Sequence, residues 1–330
     1  MTPQLWQVEP EGGIFLPQIG WHLDSRFPKA RSFVSHAHFD HMARHRVILC
    51  SDRTRRLMAR RLPGNSEIIS LPFGQMHRLD DGTEIKLHPA GHILGSAQLA
   101  AKNHHGSFLY TGDFKLRPGL SAETCVTPHA DTLVMETTYG VPRYEFPPFE
   151  EVAAGIRKFC YETLSDKATP VLFGYSLGKS QEILSALKEA RVPIMLHPQV
   201  EKMTRVYEEC GFEFPLYGRF DEAYLTGHVV ICPPQSTKST WFQNLRRKRT
   251  ATITGWGLDS STRYRSGCDA VFPLSDHADY NDLLRFVERV NPSRVYTVHG
   301  FAQEFSQTLR TRGIEAWALG KDNQLELKLN

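Results

Sequence analysis

A chain of 330 residues with 41% hydrophobic content can bury one large core or two moderate ones, and that composition argues against a disordered polymer. Lys and Arg number 39 against 36 Asp and Glu, a net charge of +3 that permits a polyanionic substrate without demanding one. The six cysteines (Cys50, Cys125, Cys160, Cys210, Cys232, Cys268) contain no Cys-x-x-Cys pair, which disfavours a zinc ribbon or a disulfide framework. With no leader-like start and no apolar run near about 18 residues, the expectation is a soluble protein of the reducing cytoplasm, with no membrane partner.

Residues 12–24 read as short strands separated by glycine and proline turns, closed by Asp24. The apolar pair Phe33-Val34 then runs into Ser35-His36-Ala37-His38-Phe39-Asp40-His41, four metal-capable side chains within six residues. Neutral imidazoles and a carboxylate are ligands that borderline divalent metals accept. His36 and His38 alternate along an extended segment and can face one ion; Asp40 and His41, further on, can face a second. The competing reading is a polar loop whose histidines only cap or hydrogen-bond, and the density of ligands weighs against it.

A strand at 47–49 precedes a helix at 52–62, whose arginines read as a solvated face. The alternating strand 84–88 feeds a glycine-flanked loop carrying His92, and the strand 107–110 ends near Asp113 at a tight turn, where a carboxylate can bridge two cations about 3.5–4 Å apart. The strand 132–136 again ends in a carboxylate, Glu136, before Thr137-Thr138-Tyr139-Gly140.

From 141 to 254 no metal motif is visible, and a separate pattern takes over: helix 149–164, strand 170–173, helix 180–190, strands 192–196 and 227–232. Such alternation indicates a small parallel sheet. Ser176 and Lys179 lie on a strand–glycine turn–helix junction where backbone amides can cradle a phosphate, although a turn needed only for chain reversal fits equally. Arg246-Arg247-Lys248-Arg249, preceded by Trp241 and Phe242, suits phosphate contacts or a solvated helix face. The chain is expected to return to the first core through 251–257. His277 then opens a helix; the strand 293–298 ends in His299, a helix follows over 301–312, and a last strand spans 324–329.

The His-x-His-x-Asp-His arrangement at 36–41 and Gly-His-x-x-Gly-Ser-Ala at 91–97 resemble the signature of the metallo-β-lactamase superfamily. Glu136 with Thr-Thr-Tyr-Gly, Ser-Asp-His-Ala-Asp at 275–279, and His299 before Gly300 resemble the motifs of its β-CASP nuclease branch. The spacing is similar to that of bacterial ligase-associated DNA exonucleases and of messenger-RNA 3′-end processing exonucleases. Artemis-type DNA nucleases carry valine where this chain has His299, so the chain departs from that subgroup.

The resemblance implies an α/β fold, the αββα sandwich of two mixed sheets, with a core at 1–145 and 255–330 and an inserted cap at 146–254, substrate entering between them. It implies two Zn²⁺, or Mn²⁺ in vitro: His36, His38 and His92 on the first, Asp40, His41 and His299 on the second, Asp113 bridging. Asp24 would sit behind the histidines and accept a ring proton. Asp40, His277 and Glu136 would be the catalytic set, with His277 protonating the leaving oxygen and Glu136 orienting it; Ser176 and Lys179 would contact substrate. The implied function is hydrolysis of single-stranded nucleic acid, as a DNA repair exonuclease, with a DNA ligase and helicase as partners. RNA processing is the main rival, and a small-molecule hydrolase of the glyoxalase or lactamase kind a weaker one.

Overall fold

A computed structural model describes residues 5–11 and 13–320, so the strand expected at 324–329 lies outside the described residues. The chain divides into two compact units, Met1–Glu145 with His277–Asn330, and Phe146–Asp276.

The first unit contains two mixed sheets. Six strands follow chain order in one of them: Glu9–Pro10, Ile14–Leu16, Trp21–Leu23, Arg31–Phe33, Val47–Ser51 and Glu67–Leu71. Pairing is antiparallel up to Trp21–Leu23 and parallel beyond it. The second sheet has seven strands, ordered Glu315–Ala318, Arg294–Val298, Thr132–Glu136, Gly106–Tyr110, Ala97–Asn103, Glu84–Pro89 and Met76–Arg78. Successive side chains of a strand point to opposite faces, and Gly106–Tyr110 uses both. Phe108 and Tyr110 pack with Leu16, Trp21, Phe33 and Leu49 between the sheets. Leu109 packs outward with Phe286, Val287, Phe305 and Leu309, from the helices Tyr280–Val290 and Ala302–Thr311. On the first sheet, helix Asp52–Arg61 begins where Ser51 accepts the Thr54 amide, and it buries Leu57 and Met58. The layers are therefore helix, sheet, sheet, helix.

The second unit is a six-stranded sheet, parallel throughout: Gly218–Arg219, Ile194–Leu196, Val229–Cys232, Thr169–Phe173, Lys248–Ile253 and Ala270–Phe272. Val152, Ile156 and Ile183 cover Leu172, Ile231 and Ala251 on one face, while Trp241 joins Val171, Phe173 and Val230 on the other. Runs buried on both faces read as continuously apolar, as Thr169–Phe173 does.

Three expectations need correction. The return to the first unit falls at His277 and not at 255, because Ala270–Phe272 pairs in parallel with Lys248–Ile253 and keeps 255–276 in the second unit. The basic run is no helix face: Lys248 and Arg249 open a strand, Arg249 pairs with Asp166 at 2.7 Å, and Lys248 Nζ donates to the Leu245 carbonyl. His277 does not open a helix; that helix starts at Tyr280, because Asp279 caps it by accepting the Asp282 amide at 2.8 Å, a role for which a carboxylate is better suited than an imidazole.

Candidate metal centre

Strand Arg31–Phe33 runs between two parallel neighbours and releases the chain at Val34, whose amide donates to the Leu49 carbonyl at 2.9 Å. The loop that follows is fixed by Ala97, whose amide donates to the Ser35 carbonyl at 2.9 Å. This delivers His36, fully buried, beside His38 and His92. His36 Nε2 lies 3.0 Å from His38 Nδ1, and His92 Nε2 lies 3.2 Å from the same atom. A tetrahedral zinc with Zn–N bonds near 2.0–2.1 Å holds its nitrogens roughly 3.3 Å apart, so the spacing of these three imidazoles suits one such ion. The His92 turn is held by Ser96, whose hydroxyl accepts the amides of His92 and Ile93 at 3.1 and 3.0 Å.

Asp113 stands against this trio and against His41. Its Oδ2 lies 3.6 Å from His36 Nε2, 3.9 Å from His92 Nε2 and 3.3 Å from His41 Nε2. The approach of its loop to the histidine loop requires glycine: Gly112 has φ +54°, and a Cβ there would lie 2.5 Å from that of Ser35.

Behind the histidines, Asp24 accepts four hydrogen bonds, from the Ser35 amide at 2.7 Å, Ser35 Oγ at 2.6 Å, Tyr110 OH at 2.8 Å and His41 Nδ1 at 2.9 Å. With the carboxylate as acceptor, His41 keeps a proton on Nδ1, which turns Nε2 towards Asp113. Ser35 Oγ also lies 2.9 Å from His36 Nδ1; having given its proton to Asp24, it accepts from the ring and leaves His36 Nε2 as a lone pair facing the site.

The electrostatics favour a cation here. Burial, with charge on His41 and His92, pushes the His36 pKa well below its usual value, so it is a neutral donor. Burial opposes charge on His41 too, but Asp113 and Asp24 outweigh it and raise the pKa well above normal. Burial raises Asp113, yet the charge and hydrogen bond of His41 hold it well below the usual carboxylate range. A proton on His41 is the positive charge that a divalent ion would displace on binding.

Groups whose donor atoms lie within 4.8 Å of one another are His36, His38 and His92; Asp24, His36 and His41; and His92, Asp113 and His277. Asp40 and His299 fall outside all three, at the rim beside His41. Asp40 Oδ2 is 3.8 Å from His41 Nε2 with its side chain 59% exposed. The His299 ring is centred 5.8 Å from that of His41.

His277 Nδ1 is 2.8 Å from Glu136 Oε1. Glu136, almost wholly buried, also accepts the amides of Phe114 and Thr138, each at 3.0 Å. Burial raises its pKa, but the charge and hydrogen bond of His277 outweigh this and leave it lowered. The loop bearing His277 is tied to the Asp113 loop where the Ala278 amide donates to the Phe114 carbonyl at 2.7 Å. Arg117, from that same loop, grips both Asp279 and Asp282, donating from Nε to the latter at 2.7 Å.

The junction proposed for phosphate in the second unit is otherwise engaged. Lys179 is 3% exposed and its Nζ donates to the Leu274 carbonyl at 2.7 Å and to Asp276 Oδ1 at 2.9 Å. The Gly178 amide donates to Gln181 Oε1 at 2.7 Å, and the half-buried Ser176 gives its carbonyl to Gln181 Nε2 at 3.2 Å. Lys179 is thus a strut within its own unit, contrary to the substrate contact expected of it. Ser35, Ser96 and Tyr110 were given no role in sequence; Ser35 directly precedes His36 and Ser96 lies in the Gly-His-x-x-Gly-Ser-Ala motif, while Tyr110 carries no local signal.

The family described as Zn-dependent metallo-hydrolase RNA specificity domain matches residues 270–319. A probable DNA ligase of Opitutus terrae is 60% identical over 98% of this chain and 32% of its own length. The 5′ exonuclease Apollo of Rattus norvegicus is 26% identical over 87% of this chain and 54% of its own. The transcription termination factor FttA of Thermococcus kodakarensis is 32% identical over 42% of this chain and 23% of its own. The chain thus spans about a third of the first protein and about half of the second. A crystal structure of an Enterococcus faecalis protein of unknown function superposes with a TM-score of 0.61 at 14% identity, covering 88% of this chain and 79% of that one, a likeness of fold alone.

Proposed function

Because the chain belongs to the metallo-β-lactamase superfamily and to its β-CASP nuclease branch, we propose that it hydrolyses phosphodiester bonds of single-stranded nucleic acid, as a DNA exonuclease in repair. The observation carrying this reading is the convergence of His36, His38, His92, His41 and Asp113, whose nearest nitrogen and carboxylate atoms lie 3.0 to 3.9 Å apart, with the His277–Glu136 pair alongside.

We assign His36, His38 and His92 to one zinc ion, His41 with Asp40 and His299 to a second, and Asp113 to both. Zinc held there supplies Lewis-acid polarisation of a phosphodiester and lowers the pKa of water from 15.7 towards about 7. The chain's own residues do the rest. Asp24 and Ser35 hold the Nδ1 protons of His41 and His36, so His36 presents a lone pair at Nε2 and His41 would present one once its second proton is displaced. Glu136 holds His277 by Nδ1 and leaves Nε2 to pass a proton to the departing oxygen. His277 also belongs to the group with His92 and Asp113, which favours a second role for it, as a ligand.

The Opitutus relative carries a DNA ligase name over a length three times this chain, which supports a ligase as a working partner of this activity; a helicase partner rests on the family resemblance alone. All six cysteines are free thiols, and no helix among the described residues is long and apolar enough to cross a membrane; a cytoplasmic setting belongs to the same proposal. The RNA reading is favoured by the match at 270–319. Cleavage of matched end-labelled single-stranded DNA and RNA with Zn²⁺ or Mn²⁺ separates the two: preference for DNA is expected, preference for RNA moves the same site to RNA processing, and inactivity on both alongside thioester hydrolysis refutes the nuclease reading.

A further inference from the structure

Phe39 stands between His38 and Asp40 in the histidine loop and is 61% exposed, whereas His36 and Ala37, three and two residues earlier, are wholly buried. A single exposed apolar residue is ordinary on a protein surface. Here the ring has a partner: the Arg61 guanidinium carbon lies 4.1 Å from its centroid. Arg61 ends the helix Asp52–Arg61, which also presents Arg55, Arg56 and Arg60 to solvent. An aromatic face paired with a cation, near further cations that can follow phosphates, is a device by which proteins hold single strands, the base stacking on the ring. A guanidinium stacked on one face orders the ring before any base arrives, so less freedom is lost on binding.

We infer that Phe39, backed by Arg61, is a stacking platform for one unpaired base of the strand being cleaved, an inference that rests on the nuclease reading above. In a duplex both faces of each interior base are occupied by its neighbours, so the platform accepts only a frayed or single-stranded base. Every base has a π face, and the platform therefore selects strandedness and not sequence. Its place, one residue from His38 and from Asp40, sets the register between the stacked base and the bond presented for cleavage.

The test is kcat/KM for wild type, Phe39→Ala and Phe39→Trp on matched single-stranded oligonucleotides, intact or with one abasic residue stepped through the positions around the cut. Wild type is expected to lose roughly 5- to 100-fold, carried by KM, when one particular base is missing. Phe39→Ala should not discriminate at that position, and Phe39→Trp should restore the discrimination. A penalty that survives in Phe39→Ala, a wild type indifferent to the missing base at each position, or a Phe39→Ala loss equal on all substrates would overturn the inference and leave the nuclease reading standing. No cleavage of any strand by wild type would overturn both.

Discussion

Replacing Glu136 by glutamine tests the His277–Glu136 pair with a minimal change of shape. The buried carboxylate accepts three hydrogen bonds, from Phe114 N and His277 Nδ1 on one oxygen and from Thr138 N on the other. A glutamine keeping its oxygen towards Phe114 and His277 turns its amide NH2 on the Thr138 N–H, leaving one buried donor unsatisfied at about 1–3 kcal/mol. Against a total of about 5–15 kcal/mol the protein stays folded with a lower Tm. The chemistry suffers more, because a neutral amide no longer supports a charged imidazole. We expect kcat to fall roughly 10²- to 10⁴-fold, the size of a general-acid contribution, and the alkaline limb of the pH–rate profile to move to lower pH. Zinc content should not change. The assay is single-stranded oligonucleotide cleavage across pH, with metal measured by plasma mass spectrometry on the same samples. An unshifted limb and wild-type kcat would refute the positioning role; loss of zinc would show that the pair serves the metal instead.

Asp24→Asn keeps a residue that tolerates the φ of +48° found there but offers His41 and Ser35 a weaker acceptor, so zinc affinity should fall roughly 10- to 100-fold; equal affinity in a competitive chelator titration would refute its role. Lys179→Met should lower stability, by up to about 3–5 kcal/mol if Asp276 stays buried without that ammonium, and leave KM unchanged. A raised KM with an unchanged denaturation midpoint would instead return Lys179 to substrate binding.

The candidate ligands that the structure brings together, His36, His38, His41, His92 and Asp113, were legible because such residues come in short local strings at strand ends, where alternation and glycine turns leave little freedom. The layered fold of the first unit was expected from the family resemblance that those strings carry. What escaped the sequence depends on distant pairing. Tyr110 reaches Asp24 across 86 residues, and nothing near Tyr110 marks it. The boundary at His277 was missed because a three-residue strand such as Ala270–Phe272 announces itself as a strand without naming its sheet. Lys179 looked available for phosphate because its partners, Leu274 and Asp276, lie almost a hundred positions further along the chain.

The most direct test of the central claim is to strip the protein of metal, titrate Zn²⁺ or Mn²⁺ back, and follow cleavage of an end-labelled single strand beside Asp40→Ala. Asp40 is exposed, so its loss spares the fold, which circular dichroism verifies. We expect no cleavage by the stripped protein, activity rising with metal occupancy in wild type, and none in a folded Asp40→Ala. Undiminished cleavage by the stripped protein, or a wild-type rate in Asp40→Ala, would contradict a nuclease built on this cluster.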